Sequence, residues 1–298
     1  MLTISRHIVT EGRVLQALGG IHCKTLDFRD RILQGEPLTA SALTALRDEL
    51  LDYVGAESLE DPELVGSYTQ MVLRTAAECA LGALGVAVFP WYDFEVPLPL
   101  IGIGVRTGDA KTWRHRTDPV TPAIWLAAFR TWLSSGEAAD PSRAVAMELK
   151  CCFAPAIRAA ASNRAATQGD WLAEVAEMDA LCRYLPDPED HPPAEWPNAR
   201  LRKPTALALS EAARSLDTLT AQSPSRRLLR TLLEDDQPLF EQALAATLTA
   251  HHDRVVPDRP RTLLPVDIIA PVVIAVRVHG WDLRVRSDYL PRRLTSAT

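Results

Sequence analysis

Apolar residues along this chain recur mainly at spacings of three and four, which places them on one face of an α-helix. Val14, Leu18, Ile21, Thr25, Phe28 and Ile32 form one such stripe, and Leu43, Leu46, Leu50 and Val54 form the next. A third helix is predicted to start at Asp61 as N-cap, with Pro62 in the first helical position and Glu63 behind it. Its buried face runs Leu64, Tyr68, Met71, Thr75, Cys79, Gly82 and Val86. Asp140-Pro141 repeats that opening ahead of Val145 and Leu149, and Asp170 opens a helix that buries Trp171, Val175, Met178 and Cys182. Leu209, Ala212, Leu216 and Leu219 continue the theme, and Leu228–Leu233 reads as a short apolar helix. Phe240, Leu244, Leu248 and His251 line the next helix, opened by Asp235-Asp236 ahead of Pro238.

Two regions break this period. Phe94–Val105 mixes β-branched residues with prolines and glycines, which predicts an extended strand or hairpin. Trp281–Arg286 alternates Leu283 and Val285 with charged residues, the pattern of a short surface strand. The proline-rich run Leu185–Pro204 exceeds the usual connection inside a domain, so it marks a domain boundary or a functional loop. The expected architecture is all-α: one irregular multi-helix domain over residues 1–298, bundle- or solenoid-like, with one or two short strand pieces. Residues 185–204 are the candidate sub-domain boundary.

Composition narrows the function classes. With 47% hydrophobic and 23% charged residues, 298 residues bury a substantial core, which excludes disorder as the overall state. A net charge of −6 argues against a nucleic-acid partner and suits a basic protein partner. The apolar runs Ala80–Phe89 and Ile268–Val276 fall short of the roughly 20 residues a membrane span requires, so no membrane segment is expected. Met1–His7 lacks the basic-then-apolar order of a leader. Cys23, Cys79, Cys151, Cys152 and Cys182 are odd in number and show no C-x-x-C spacing, which predicts buried, reduced thiols in a cytoplasmic protein.

Motifs for catalysis do not assemble. A Walker loop, H-E-x-x-H and G-x-S-x-G are absent, and Gly102-Ile103-Gly104 lacks the rest of a dinucleotide loop. His251-His252-Asp253 offers metal-ligand types, but neighbours on a helix point about 100° apart and cannot easily share one ion. Cys151-Cys152 fails as a ligand pair for the same reason. Glu234-Asp235-Asp236 suggests a metal–diphosphate site, yet Leu239 stands where a further carboxylate is needed, and helix capping accounts for the run. No metal or cofactor is expected.

The C-terminal third carries a more specific pattern. Asp235-Asp236-x-x-x-Phe240-x-x-Ala243-Leu244 is followed by His251, a proline-broken loop, an apolar helix ending in His279-Gly280-Trp281, and Ser287-Asp288-Tyr289-Leu290-Pro291. This pattern resembles the immunity protein 49 family, found beside toxin genes in bacterial polymorphic toxin systems. Upstream the likeness is collinear, through the alanine-rich Tyr68–Phe89, the strand-like Glu95–Val105 and the helix opened by Trp125-Leu126-Ala127. The resemblance implies an all-helical protein that binds and neutralises a cognate toxin, in several systems a nuclease, by occlusion. It implies a partner encoded by an adjacent gene, no enzyme activity and no catalytic residues.

An acidic chain steers a basic partner. The expected toxin-binding residues are Glu57, Glu60 and Asp61 from one acidic stretch, and Asp187, Glu189, Asp190 and Glu195 from a second. Asp235 and Asp236 come from a third, and Trp196 is a contact aromatic in the proline-rich loop. Solvated loops and helix caps account for the same carboxylates. The alternative is a family relative recruited to a biosynthetic cluster as a small-molecule-binding protein or cofactor-free cyclase or isomerase, with Trp91, Trp125 and Tyr289 around its pocket. The tail from Trp281 to Leu290 is expected to lie against the helices, with Tyr289 giving its hydroxyl to a buried backbone acceptor.

Overall fold

Gly19 and Gly20 cut the first apolar stripe in two: Gly20 takes φ of 68°, a left-handed turn that glycine enters without a Cβ penalty. The computed structural model describes residues 3–109, 120–136, 144–162, 169–218, 223–254 and 259–295. Helix α1 (Glu11–Leu18) and helix α2 (Ile21–Leu33) therefore replace the single helix predicted from the stripe. Ile21, Thr25, Phe28 and Ile32 are buried as expected. Helix α3 (Ala40–Glu57) buries Leu43, Leu46, Leu50 and Val54, and Thr39 caps it by accepting from the Ala42 N–H at 3.1 Å.

The next helix starts later than its sequence signals predict. Helix α4 spans Ser67–Val88, and Asp61 caps a loop instead, its Oδ2 accepting from the Gly66 N–H at 2.8 Å. Leu64 is buried inside that loop at a positive φ of 53°, while Tyr68 and Met71 are exposed on the first turns of α4. From Val72 onward α4 is buried almost all round, because alanine and glycine let α3 and helix α5 (Pro122–Ser134) approach closely. By length and composition α4 could cross a membrane, but 83% of its apolar window is buried inside the protein.

Helix α6 (Val145–Glu148) runs through one π-helical turn, Leu149–Phe153, into helix α7 (Ala154–Ser162), and helix α8 (Gly169–Cys182) follows. Helices α9 (Ala206–Asp217), α10 (Pro224–Leu232), α11 (Gln237–Arg254), α12 (Val266–Arg277) and α13 (Arg292–Thr295) complete the set. The structure is 67% helical, an all-α fold with two small sheets. Buried residues on both sides of Leu185–Pro204 belong to one apolar cluster. The loop itself is tied down: Arg202 N–H donates to the Tyr184 carbonyl at 2.9 Å, and Lys150 and Arg202 both pair with Asp187. The expected start at Asp140-Pro141 and the stripe position Leu219 lie outside the described residues.

Strand β2 (Glu95–Leu98) pairs antiparallel with strand β3 (Ile103–Arg106), with Val96 opposite Val105, which makes Phe94–Val105 a hairpin. The second expected strand is corrected. Trp281–Val285 is irregular, and only strand β4 (Arg286–Ser287) pairs, in parallel, with strand β1 (Thr3–Ile4). Leu283, Val285, Tyr289 and Leu290 are nonetheless buried, so packing, not a ladder, holds this tail. The expectation of buried thiols holds for Cys79 and Cys182; Cys23 and Cys152 are exposed, and all five are unpaired.

Candidate functional site

A recess lined by aromatic and acidic residues lies where α4 ends. Gly82 and Gly85 lie at the hairpin contact: a Cβ on Gly82 would sit 2.7 Å from Val96, and one on Gly85 2.9 Å from Phe94. The hairpin can therefore lie close against the helix. Beside this contact opens a cavity of about 500 Å3 lined by α4, by the Phe89–Pro97 segment and by the π turn. The π turn inserts one extra residue into the helical register, a distortion often found at functional sites. Glu148, Cys152 and Phe153 line the cavity from this side. Trp125, stacked on Phe129 at 5.2 Å, fixes the turn from the core by donating its indole N–H to the Leu149 carbonyl at 3.0 Å.

Aromatic rings and carboxylates share the lining. Phe89 packs against Phe153 at 5.4 Å and edge-on against Tyr92 at 5.6 Å, and Phe94 adds a fourth ring. Trp91 and Tyr92 stand 65% and 69% exposed at the end of the helix. The carboxylates are Glu78, Asp93, Glu95 and Glu148, and no lysine, arginine or histidine joins the lining among the described residues. Asp93 is engaged: it accepts from the Gly108 N–H and the Thr107 hydroxyl at 3.2 Å each, and pairs with Arg106 at 3.2 Å. Burial and the negative Glu148 push the Cys152 thiol up, so it stays protonated and is no nucleophile at neutral pH.

The three expected pocket aromatics do not meet. Trp125 is wholly buried in the core, Tyr289 is wholly buried beside the N-terminal segment, and Trp91 is exposed next to Tyr92 in sequence without lining the cavity. The acidic stretches divide between exposed and structural carboxylates. Glu60, Glu189 and Glu195 are exposed and form no ion pair among the described residues. Glu57 is half-buried and hydrogen-bonds Tyr53. Asp61 closes the loop before α4, Asp187 and Asp190 hold Arg202, and Asp236 caps α11 through the Leu239 N–H at 3.0 Å. Trp196 is half-buried, its indole N–H donating to the His191 carbonyl at 3.1 Å.

Asp235 belongs to a network that the sequence did not reveal. At a φ of 55° it turns its carboxylate toward His279, whose Nδ1 donates to Oδ1 at 2.7 Å, while Lys203 reaches Oδ2 at 2.6 Å. The other imidazole nitrogen accepts from the buried Tyr184 hydroxyl at 3.0 Å. Burial opposes ionisation of Asp235, but the bonds from Lys203 and His279 outweigh it and hold the carboxyl below its ordinary range. Burial pushes the Tyr184 phenol up and His279 down, leaving both neutral. An Asp–His–Tyr relay could polarise the phenol, but Tyr184 and the His279 side chain are fully buried, which leaves a substrate no access. The arrangement is a cross-brace.

A second brace joins the chain ends through His7, Tyr289, Thr262 and His251. The His251 Nε2–H donates to the Thr262 carbonyl at 2.8 Å, which accounts for this residue without a metal. Among the described residues, no group of three histidine, cysteine, aspartate or glutamate side chains is placed to hold a metal ion. Little in the sequence marks His7, Tyr184, Lys203 or Glu148, because each acts on residues distant in the chain.

A family model described as immunity protein 49 matches residues 72–294, a span that contains the cavity and both braces except for His7. Neither a curated protein nor a solved structure matches the chain.

Proposed function

We propose, from the premise that the chain belongs to the immunity protein 49 family, that it binds and neutralises a protein toxin encoded by an adjacent gene. The family match over more than half of the chain is the observation that carries this reading. Neutralisation proceeds by occlusion: the bound chain covers the surface through which the toxin reaches its own substrate. The proposed setting is the bacterial cytoplasm, where a toxin that enters or is made in the cell would act.

Surface chemistry supports a protein partner. Trp91 and Tyr92 are exposed neighbours of residue types that dominate binding hot spots, and acidic side chains lie beside them. Tyr68 and Met71 expose a second apolar pair on the opening turns of α4, next to the acidic Glu57–Glu63 segment. Depletion of basic residues around the cavity favours a partner surface that is basic.

Co-expression with the product of the neighbouring toxin gene tests the proposal. The expected outcome is a one-to-one complex on size exclusion and survival of cells that the toxin alone kills. A toxin that keeps full activity in the presence of excess chain refutes it.

A further inference from the structure

We infer that the cavity beside α4 is a guanidinium socket, which receives an arginine side chain presented by the partner. The inference rests on the immunity reading for the identity of that partner, but its chemistry stands on the cavity itself. The recess of about 500 Å3 falls within the range of about 300–1,000 Å3 typical of ligand sites. Its walls combine two features that suit one chemical group. Phe89, Tyr92, Phe94 and Phe153 supply ring faces and edges, and a cation over a ring face is attracted by the ring's quadrupole. Glu95 on the hairpin, its carboxylate lying over Gly104, and Glu148 at the start of the π turn are carboxylate residues of the lining on two separate elements.

The charge of these two groups is not spent inside the protein. Asp93 has Arg106, but Glu95 and Glu148 form no ion pair among the described residues. A second cavity, of about 890 Å3, offers the contrast. It is lined by Lys150, Arg158, Arg183, Arg202 and Lys203, and each of these cations already has a carboxylate partner. Of these two cavities, the acidic recess is the one with charge left to complement. Arginine fits better than lysine. Its planar guanidinium stacks on aromatic rings while its N–H fork reaches carboxylates in the ring plane, whereas an ammonium is a compact, strongly hydrated point charge. The glycine floor and the π turn give the socket a shape held by backbone, so little order has to be created on binding.

Titration with N-acetyl-arginine amide, followed through the amide signals of isotopically labelled glycine, tests the socket. Gly82 and Gly85 should shift and saturate, and the neutral isostere N-acetyl-citrulline amide should leave them in place. The double variant Glu95→Gln/Glu148→Gln keeps side-chain size at two solvent-accessible positions, so folding should be unchanged. Its affinity for the arginine probe should fall about tenfold or more, the scale of lost charge-assisted hydrogen bonds. Unmoved glycine signals, or equal binding of citrulline, overturn the socket. The source of the arginine is read with the neighbour-encoded toxin: the double variant should release it about tenfold faster than wild type. A wild-type complex that the double variant leaves intact overturns the socket's role in the complex while the immunity reading stands. A wild-type chain that binds the arginine probe but no neighbour-encoded toxin overturns the immunity reading and assigns the socket to free guanidinium compounds.

Discussion

The phenolic oxygen of Tyr289 accepts the backbone N–H of His7 at 2.8 Å, and its own hydrogen points to Nδ1 of the same residue at 2.7 Å. The expected donation to a backbone carbonyl is replaced by this two-way bond across 282 residues of chain. From the ring the relay continues: His7 Nε2–H donates to the Thr262 hydroxyl at 3.0 Å, which donates to the Arg259 carbonyl at 2.6 Å. Strands β1 and β4 pair alongside, so one polar chain and one short ladder join the two ends of the described sequence.

Tyr289→Phe removes the oxygen and leaves a His7 N–H and a ring nitrogen without their partner in a part-buried site. The expected loss is about 1–3 kcal/mol, the cost of unsatisfied buried polar groups. Urea unfolding of the variant measures it, and a midpoint equal to wild type would contradict the brace.

Stability should also decline on acidification. Burial, reinforced by positive neighbours, holds the His7 pKa below the ordinary 6.5, and burial does the same for His279 despite the pull of Asp235. Between the folded and unfolded values the unfolded chain binds more protons. Stability is therefore fully present above about pH 6.5 and falls as pH drops through the window below it. Replacing both histidines with glutamine should flatten the unfolding midpoint between about pH 5 and 6.5, before carboxylate titration takes over. An unchanged slope in the double variant would locate the titration elsewhere.

A substitution that normally strengthens a helix should here weaken it. Gly55 lies in α3, where alanine would ordinarily gain about 1 kcal/mol of helix propensity. A Cβ at Gly55 would sit 2.1 Å from the Pro260 carbonyl oxygen, and that backbone is fastened because the Arg261 N–H donates to Asp52 at 2.9 Å. Gly55→Ala should cost about 3 kcal/mol, at the upper end of ordinary overpacking. Gly85→Ala should cost less, since the obstruction is the movable Phe94 ring. Thermal melts of the two variants rank them, and the reverse order would show that the Pro260 turn yields.

What could be read in the sequence follows from how each signal arises. The stripe Leu43, Leu46, Leu50 and Val54 was legible because α3 keeps a polar side, so periodicity and burial coincide. In α4 burial is nearly all round, so periodicity cannot choose a face, and Tyr68 and Met71, which the spacing places inward, lie outward. Asp61-Pro62 has the local chemistry of a helix start, but the capping bond is used to close the Asp61–Gly66 loop ahead of the helix. The cavity was legible only in one fragment, the Phe94–Val105 hairpin that supplies a wall of it. A π turn differs from an α turn by one residue and leaves no periodic trace, and Glu148 meets the hairpin only through the fold.

The structure also separates the expected toxin-binding carboxylates into two groups with different outcomes on charge reversal. Asp187→Lys would place a third cation beside Lys150 and Arg202 and remove the carboxylate that holds them, so the proline-rich loop should loosen and the protein lose stability. Asp235→Lys would break the bonds to His279 and Lys203 and should destabilise for the same reason. Glu60, Glu189 and Glu195 carry no such duty among the described residues, and reversing them should change stability by no more than about 0.5 kcal/mol. If these exposed charges steer a basic toxin, the triple reversal should slow association, and the difference from wild type should shrink as salt rises. Stopped-flow association at two ionic strengths, with melting temperature as the folding control, reads both effects. An association rate unchanged at low salt would remove these three carboxylates from the interface and leave the aromatic recess at the end of α4 to carry recognition.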